Sequence, residues 1–581
     1  MYQTKLENWL EKYSYLPYLV LVIWSIIFAC LSIFVINAYE GSYDFDFHLT
    51  RLVGLAQSIS HGEWLPSLNQ LFSYGTGYAS DMFYGNWQFY PAALVYLVTK
   101  NTTIAYFSFG LSIILLTTLS SFYCFKKLSH NSLESFCLAA IVACFFPAYG
   151  FGMTMVVGLA PALYYSLYKV IFKEEYNPIL LGIIIALLIQ THILSTLVLA
   201  ISSLLFLCCT ITRWKWKAFI SFSLSAMFGL ALSSGYIVQY IEQIKSQPFY
   251  FTWMTRNFPV DNSLMFRVKE SLHSGFAPLT NIFDACMKLA LFYFFFQFKR
   301  LQAASKSILG VIGLTYLLMS DILPWETHLK FTFLGSLQYT ERLSFFLPIL
   351  FLLLILMELE KKVILKISGA IFAVYLFTIV YPTTISKFES NLQMLRDRNS
   401  RMYQAFQNPR DVFLNPVGDE YYSLDIDNQA VRQESFKEFS NVNNLKISDV
   451  QYGYNHLKIR FEVMDDSQVA SLVLPNIWYK GYQATYSEGG VGGQPRLETV
   501  SRSSEELARM KQLKMPVSSE KTLNNGKIYV QLEKSGTVTI SHKKTFLQEL
   551  FYWVEFILWS FVGIGWLVQS RKIFRKFNQK P

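Results

Sequence analysis

The chain has 581 residues, of which 52% are hydrophobic and 15% charged, and a mean hydropathy of +0.30. Soluble globular domains carry about 25% charged residues, so composition excludes an ordinary soluble protein. The formal net charge of +10 does not mark a nucleic-acid partner. The basic residues gather in clusters just outside apolar runs: Lys126 and Lys127, Arg213, Lys215 and Lys217, Lys299 and Arg300, Lys361 and Lys362, and Arg571, Lys572, Arg575 and Lys576. That is the positive-inside pattern of a polytopic membrane protein.

In chain order, about twelve spans are predicted from length and flanking charge. They cover 18–38, 104–124, 135–150, 153–172, 178–191, 193–211, 217–238, 283–298, 307–322, 344–359, 364–382 and 548–570. The first is long for a signal-peptide core and no small-residue cleavage site follows, so it reads as retained. With both termini cytoplasmic, every basic cluster falls inside. Two regions then lie outside the cell: 39–103, rich in Gly and Tyr, and 383–547. The second opens with the helix-compatible "SNLQMLRDRNSRMYQAF". It continues through the alternating segments "HLKIRFEV", "ASLVLP", "QATYS", "KIYVQLE" and "TVTISH", with turn signals "NNG" and "KSG" between them. The expected domains are thus a transmembrane domain (1–382), an extracellular, mainly-β, sandwich-like domain (383–547), and a final anchoring helix with a basic cytoplasmic tail (548–581). "EGGVGG" reads as a loop. The seven cysteines lie in or beside apolar runs without metal-site spacing, which predicts neither a disulfide framework nor a zinc site. A large exported domain without cysteine fits a Gram-positive bacterium.

The stretch "GSYDFDFHLTR" (41–51) places Asp44, Asp46, His48 and Arg51 just after the first span. Charges so near a bilayer are costly unless they work or find partners. On a helix, Asp44, His48 and Arg51 share one face, and Asp46 and Thr50 another. On a strand, both carboxylates point the same way and could share a metal ion or an acceptor hydroxyl. The plainer alternative is a helix start capped by Ser42 or Asp44. Three later segments add candidates. In "SLQYTERLSFF", Arg342 suits bidentate binding of a phosphate oxyanion and Gln338 can hydrogen-bond; the alternatives are headgroup snorkelling or a pair with Glu341. In "QTHILS", His192 sits at a turn between two spans, where a structural histidine is the commoner case. The loop with Tyr74, Tyr78, Asp81, Tyr84 and Trp87 offers aromatic faces for a sugar or for an interfacial belt. The exterior stretch 239–282, with Glu242, Lys245, Arg256 and Lys269, could cover a site. No nucleotide-binding or metalloprotease motif stands in a supporting context.

The first-loop pattern D-x-x-F-H-x-x-R, then "HGEWLP" and "YGTGYASDMFYGNWQFYP", resembles the GT-C superfamily of multi-pass glycosyltransferases. More narrowly, it is similar to bacterial membrane proteins described as related to 6-pyruvoyl-tetrahydropterin synthase. "QTHILS" and "LQYTERLS" resemble two later landmarks of that group, and "LPNIWYKGYQATYS" with the terminal span resembles the β domain and anchor of related sugar-transfer proteins. The resemblance covers nearly the whole chain. It implies a sugar taken from a polyprenyl-phosphate carrier on the outer face and passed, with inversion, to a cell-surface glycan or lipid acceptor. It implies Asp44 as the acid of the first exterior loop and Arg342 as the basic residue at the lipid phosphate. Asp46 is an extra carboxylate, compatible with a variant using a divalent metal (Mg or Mn); no other cofactor is required. Two rival expectations are a transporter or flippase of lipid-linked sugars and a non-catalytic envelope assembly protein.

Overall fold

The computed structural model describes residues 12–31, 44–129, 131–146, 152–251, 290–320, 322–337, 339–376, 388–416, 419–488, 493–513, 515 and 517–578. Ser42, Arg256, Lys269 and Gln338 lie outside these residues, as do parts of the segments predicted to span at 18–38, 283–298 and 364–382 and most of "EGGVGG".

The described residues are mostly helical up to residue 407. Among them the helices of ten residues or more are α1 (Leu16–Cys30), α2 (Phe45–Ser60), α3 (Tyr90–Thr99), α4 (Thr102–Ser129), α5 (Ser132–Val142), α6 (Ala160–Phe172), α7 (Pro178–Thr191), α8 (Ile193–Cys209), α9 (Trp216–Ala231), α10 (Ser234–Ser246), α11 (Ala303–Leu318), α12 (Leu347–Glu358), α13 (Lys361–Tyr375), α14 (Phe388–Gln407) and α15 (Phe546–Asn578). Polar caps set several starts. Asn131 accepts from the N–H groups of Leu133 and Glu134 before α5, and Asn177 accepts from Ile179 N–H before α7, where Pro178 occupies the first turn.

Among the described residues, four helical stretches are long and apolar enough, by length and composition, to cross a membrane: Thr102–Ser129, Gly152–Phe172, Thr340–Glu358 and Phe546–Ser570. A fifth span arises if α9 and α10, which meet at a 70° bend, form one broken crossing. Leu16–Cys30, Ser132–Phe145, Pro178–Thr191, Ile193–Cys209 and Ala303–Leu318 are apolar but shorter. No residue in the apolar window of Phe546–Ser570 is fully buried inside the molecule; α15 packs along one side, with Trp559 Nε1 donating to Leu232 O (2.9 Å).

Residues 440–542 form two four-stranded antiparallel sheets. The strands are β1 (Ser440–Asn443), β2 (Leu445–Gly453), β3 (His456–Val463), β4 (Ala470–Ile477), β5 (Tyr482–Glu488), β6 (Arg496–Leu497), β7 (Thr499–Ser501), β8 (Glu520–Thr522), β9 (Lys527–Leu532) and β10 (Gly536–His542). The sheet orders are β1-β4-β9-β6 and β2-β3-β10-β5, with β7 and β8 a separate pair. All five strands predicted from alternation are present. In β3 every second side chain is buried, Leu457, Ile459, Phe461 and Val463, as a one-sided sheet requires. Ile459 sits opposite Val538 on one neighbour and Val450 on the other. "NNG" closes the turn before β9, with Asn524 and Asn525 in the left-handed region and Gly526 pressed against Ile426, where a Cβ would lie 2.4 Å from Ile426 Cγ1.

α14 and the segment after it interlock with the 44–103 region. Asn399 Oδ1 accepts from Thr102 N–H (2.8 Å), Gln57 Nε2 donates to Phe406 O (3.1 Å), and the hydroxyls of Ser73 and Tyr422 share a hydrogen bond of 2.5 Å. The sandwich itself docks through Gln243 Nε2, which donates to Lys480 O (2.7 Å), and Lys544 Nζ, which donates to Ser67 Oγ (3.0 Å).

Candidate active site

A cavity of about 540 Å³ gathers residues from seven distant parts of the chain. Its polar lining includes Asp44, Tyr84, His192, Arg342, Glu420 and Tyr421. Its apolar wall includes Ile193, Leu194, Leu197, Phe331 and Phe333, and Phe333 and Ile193 are also exposed on the molecular surface. Each of these six polar residues comes from the end of an element or from a connection, so helix packing sets the site while loop ends supply most of its chemistry.

Asp44 occupies the N-cap of α2, yet its side chain makes no capping hydrogen bond. The carboxylate is therefore available to the cavity. Burial raises its pKa above the ordinary aspartate value, while the charge of Arg342 works the other way. Arg342 lies in a short 3-10 turn, Thr340–Ser344, ahead of α12. Its Nη1 donates to Leu337 O (3.2 Å) and its guanidinium lies 5.5 Å from the Tyr339 ring centroid. Asp44 and Arg342 sense each other's charge without an ion pair within 4.0 Å.

His192 caps α8. Its Nδ1 accepts from Ser195 N–H (3.2 Å) and lies 2.7 Å from Ser195 Oγ. An Nδ1 that accepts a backbone N–H leaves the ring proton on Nε2 in the neutral imidazole, so Nε2 is a donor. Nε2 faces Gly152, where a Cβ would approach it to 2.7 Å; only glycine leaves that space. The ring of His192 stacks on Tyr84 at 5.4 Å and 14°.

Glu420 was not anticipated from the sequence. It sits in the segment between α14 and the sandwich and lines the same cavity as Asp44. Burial, reinforced by the charges of Asp44 and Asp419, pushes its carboxyl up to about 7. Burial likewise takes the Tyr84 hydroxyl up to about 12. The cavity thus holds two carboxyl groups whose environments separate their protonation, the arrangement that suits acid and base roles.

The remaining sequence candidates stand elsewhere. The segment 45–60 is helical, so the two-face arrangement holds: Asp46 and Thr50 face α14, with Asp46 3.4 Å from Arg398 Nε and Thr50 Oγ1 4.0 Å from Met402 Sδ. Asp46 does not line the cavity, and because its carboxylate is paired with Arg398 the two aspartates do not converge on a common ion. Among the described residues no group of three or more His, Cys, Asp or Glu side chains is placed to hold a metal ion. Asp46 thus stands beside Arg398 and not beside Asp44.

His48, Arg51 and Asp81 form a buried support behind the cavity. Arg51 is fully buried; its Nη2 donates to Gly85 O (3.0 Å) and Asn86 Oδ1 (2.8 Å), its Nη1 lies 3.4 Å from His48 Nδ1, and its Nε lies 3.9 Å from Asp81 Oδ1. The guanidinium also lies over the rings of Tyr84 (4.7 Å) and Phe89 (4.8 Å). Asp81 is pushed up to about 6 because burial outweighs the pull of Arg51. Of the aromatic loop, only Phe83 and Tyr84 reach the cavity. Tyr78 is core, its hydroxyl accepting from Tyr421 N–H (3.1 Å); Tyr74 packs on Phe413 and donates to Arg432 O (3.4 Å); Trp87 Nε1 donates to Thr191 Oγ1 (2.7 Å).

No family model matches the chain, and no curated protein matches it closely enough to count as a relative.

Proposed function

We propose that the chain is a GT-C-type glycosyltransferase of the bacterial cell membrane, with about twelve spans, both termini cytoplasmic and the cavity at the outer face. It moves a sugar from a polyprenyl-phosphate carrier to a cell-surface glycan or lipid acceptor. The observation that carries this reading is the convergence of Asp44 and Arg342, almost three hundred residues apart in sequence, on one cavity with an apolar wall.

The residues divide the work by chemistry. Asp44, whose side chain does not cap α2 and has no ion pair among the described residues, takes the proton of the acceptor hydroxyl as that oxygen attacks the anomeric carbon. The bond to the carrier phosphate breaks with inversion, and the phosphate gathers charge that the Arg342 fork and the Nε2–H of His192 stabilise. The wall of Ile193, Leu194, Leu197, Phe331 and Phe333 suits the isoprenoid chain. Glu420, protonated below about pH 7, donates a hydrogen bond to a sugar hydroxyl. Because Asp44 and Arg342 are not directly paired, a sugar can lie between them.

The test is sugar transfer by membranes carrying the protein, with radiolabelled polyprenyl-phosphate sugars as donors. Arg342→Lys keeps the charge and loses the fork, and is expected to raise the KM for donor at least tenfold while the KM for acceptor stays within about twofold. Equal effects on both substrates would remove Arg342 from the donor phosphate.

A transporter of lipid-linked sugars is the second reading, and the 70° break between α9 and α10 favours it, since broken helices line transporter sites. It predicts flipping of a fluorescent lipid-linked sugar in proteoliposomes without any change in the sugar's linkage.

A further inference from the structure

A second cavity, of about 300 Å³, lies where the β2–β3 hairpin meets the C-terminal ends of α2 and α14. The sequence "YGYNH" (452–456) builds its outer side. Gly453 pairs with His456, and Asn455 takes the left-handed conformation that closes the turn. The turn is held against the helical part: the Tyr454 ring stacks on His61 at 4.5 Å and 10°, its hydroxyl lies 2.7 Å from both Ser58 Oγ and Glu63 Oε2, and Gln70 Nε2 is 3.5 Å from Asn455 Oδ1. These contacts fix the walls of the cavity, so it is a formed site and not a gap between loose parts.

Its lining is chemically distinctive. It presents the amide side chains of Gln57, Gln70, Gln407, Asn408, Asn455 and Asn476, together with the rings of Tyr452, Tyr454 and Tyr482, and no carboxylate. Amides carry donor and acceptor in one group, as a row of sugar hydroxyls requires, and phenol rings offer a flat apolar face. His61 and His456 also line it, and with no carboxylate present a cation would meet no formal opposite charge there. Its one guanidinium, Arg410, is engaged: it lies 3.8 Å above the Tyr452 ring and donates to Lys437 O. That leaves little for a polyanion. Gln57 is buried, 4% exposed, and its Oε1 has no hydrogen-bond partner among the described residues, a cost that a ligand hydroxyl would remove.

We propose that this cavity is a binding site for a neutral oligosaccharide, separate from the Asp44 cavity. The two are joined by α2, with Asp44 before its first residue and Gln57 in its last turn, about 20 Å apart along the helix axis at 1.5 Å per residue. The site stands on its own lining and does not depend on the transferase reading.

The test uses the full chain in lipid nanodiscs, free of sugar-headed detergent. Saturation-transfer NMR is run with neutral hexasaccharides of glucose, galactose and N-acetylglucosamine, and with poly(glycerol phosphate). Saturable binding of at least one neutral hexasaccharide is expected, weakened tenfold or more by Gln407→Trp, an exposed position at the mouth where the change fills space without removing a buried contact. Tyr452→Ala, half-exposed, is expected to weaken it similarly, and Asp44→Asn to leave it unchanged. Absence of saturable binding to all three hexasaccharides, binding that survives Gln407→Trp, or tighter binding of poly(glycerol phosphate) than of any neutral probe would overturn the proposal.

Discussion

The guanidinium of Arg51 holds the Gly85 carbonyl, the Asn86 side chain and the Asp81 carboxylate, and sits on the faces of Tyr84 and Phe89. It touches no part of the cavity, yet it fixes Tyr84, which does. Arg51→Met would leave Asp81 buried without its cation, and removal of one partner of a buried pair costs about 3–5 kcal/mol. Thermal unfolding of the purified protein is expected to show that loss, and the double variant Arg51→Met with Asp81→Asn is expected to recover part of it. At the same scale, the carboxyl pair sets the pH dependence of transfer. Asp44 must be ionised to act as base, and its pKa is raised, so activity falls as pH drops through a point above the ordinary aspartate range. Glu420 is raised to about 7, so it is a donor below that pH and loses its proton above it. A bell-shaped profile follows, with the alkaline limb near pH 7. Glu420→Gln keeps a donor that does not titrate, and the alkaline limb is expected to disappear. A limb unmoved by that change would take Glu420 out of the reaction. Glu420 was not legible beforehand because "GDEYYS" has no periodicity and its carboxylate is one of 40 in the chain; only closure of the 419–423 segment over Tyr78 and Tyr84 gives it a place.

Among the elements, α7, α10 and α15 meet at Glu555. Its Oε1 accepts from Gln190 Nε2 (2.6 Å) and its Oε2 from the N–H groups of Gly235 (3.0 Å) and Tyr236 (3.4 Å). The carboxylate thereby meets free N–H groups at the start of α10, where anions are stabilised. Gly235 permits the approach, since a Cβ there would lie 2.6 Å from the Tyr552 ring. Glu555→Ala strips three donors of their acceptor and is expected to destabilise the protein by about 1–3 kcal/mol, read as a lowered thermal midpoint in the same micelle. An unchanged midpoint would show that α15 docks by packing alone. Elements with a strong period were legible in the sequence. β3 alternates cleanly and was predicted over its full length, and α14 follows the helix-compatible stretch. The aromatic loop was not: nothing in its sequence separates Tyr84, which lines the cavity, from Tyr78, which is core, because the short Ser80–Phe83 helix between them re-aims the chain.

At the scale of the molecule, the described residues join a helical part, with three or four stretches of membrane-spanning length and composition, to a C-terminal β-sandwich and a last helix that is one more. Composition and basic clusters foretold that plan, because hydropathy and charge act locally and are written along the chain. The shared cavity was foretold as a pair, Asp44 and Arg342, placed at helix ends by the threading, with His192 and the Tyr74–Trp87 loop as further candidates around it; of these His192 and Tyr84 line it. Its other walls depend on how α7, α8 and the 419–423 segment pack, which no local signal encodes. The central claim, that this cavity transfers a sugar to the cell surface, is tested most directly by the sugar composition of surface glycans in a deletion strain complemented with either the parent chain or Asp44→Asn, both produced at equal levels. The parent chain is expected to restore a sugar missing from the deletion strain, and Asp44→Asn to leave it missing. Restoration by Asp44→Asn, or a deletion strain whose surface sugars match the parent's, would contradict the account.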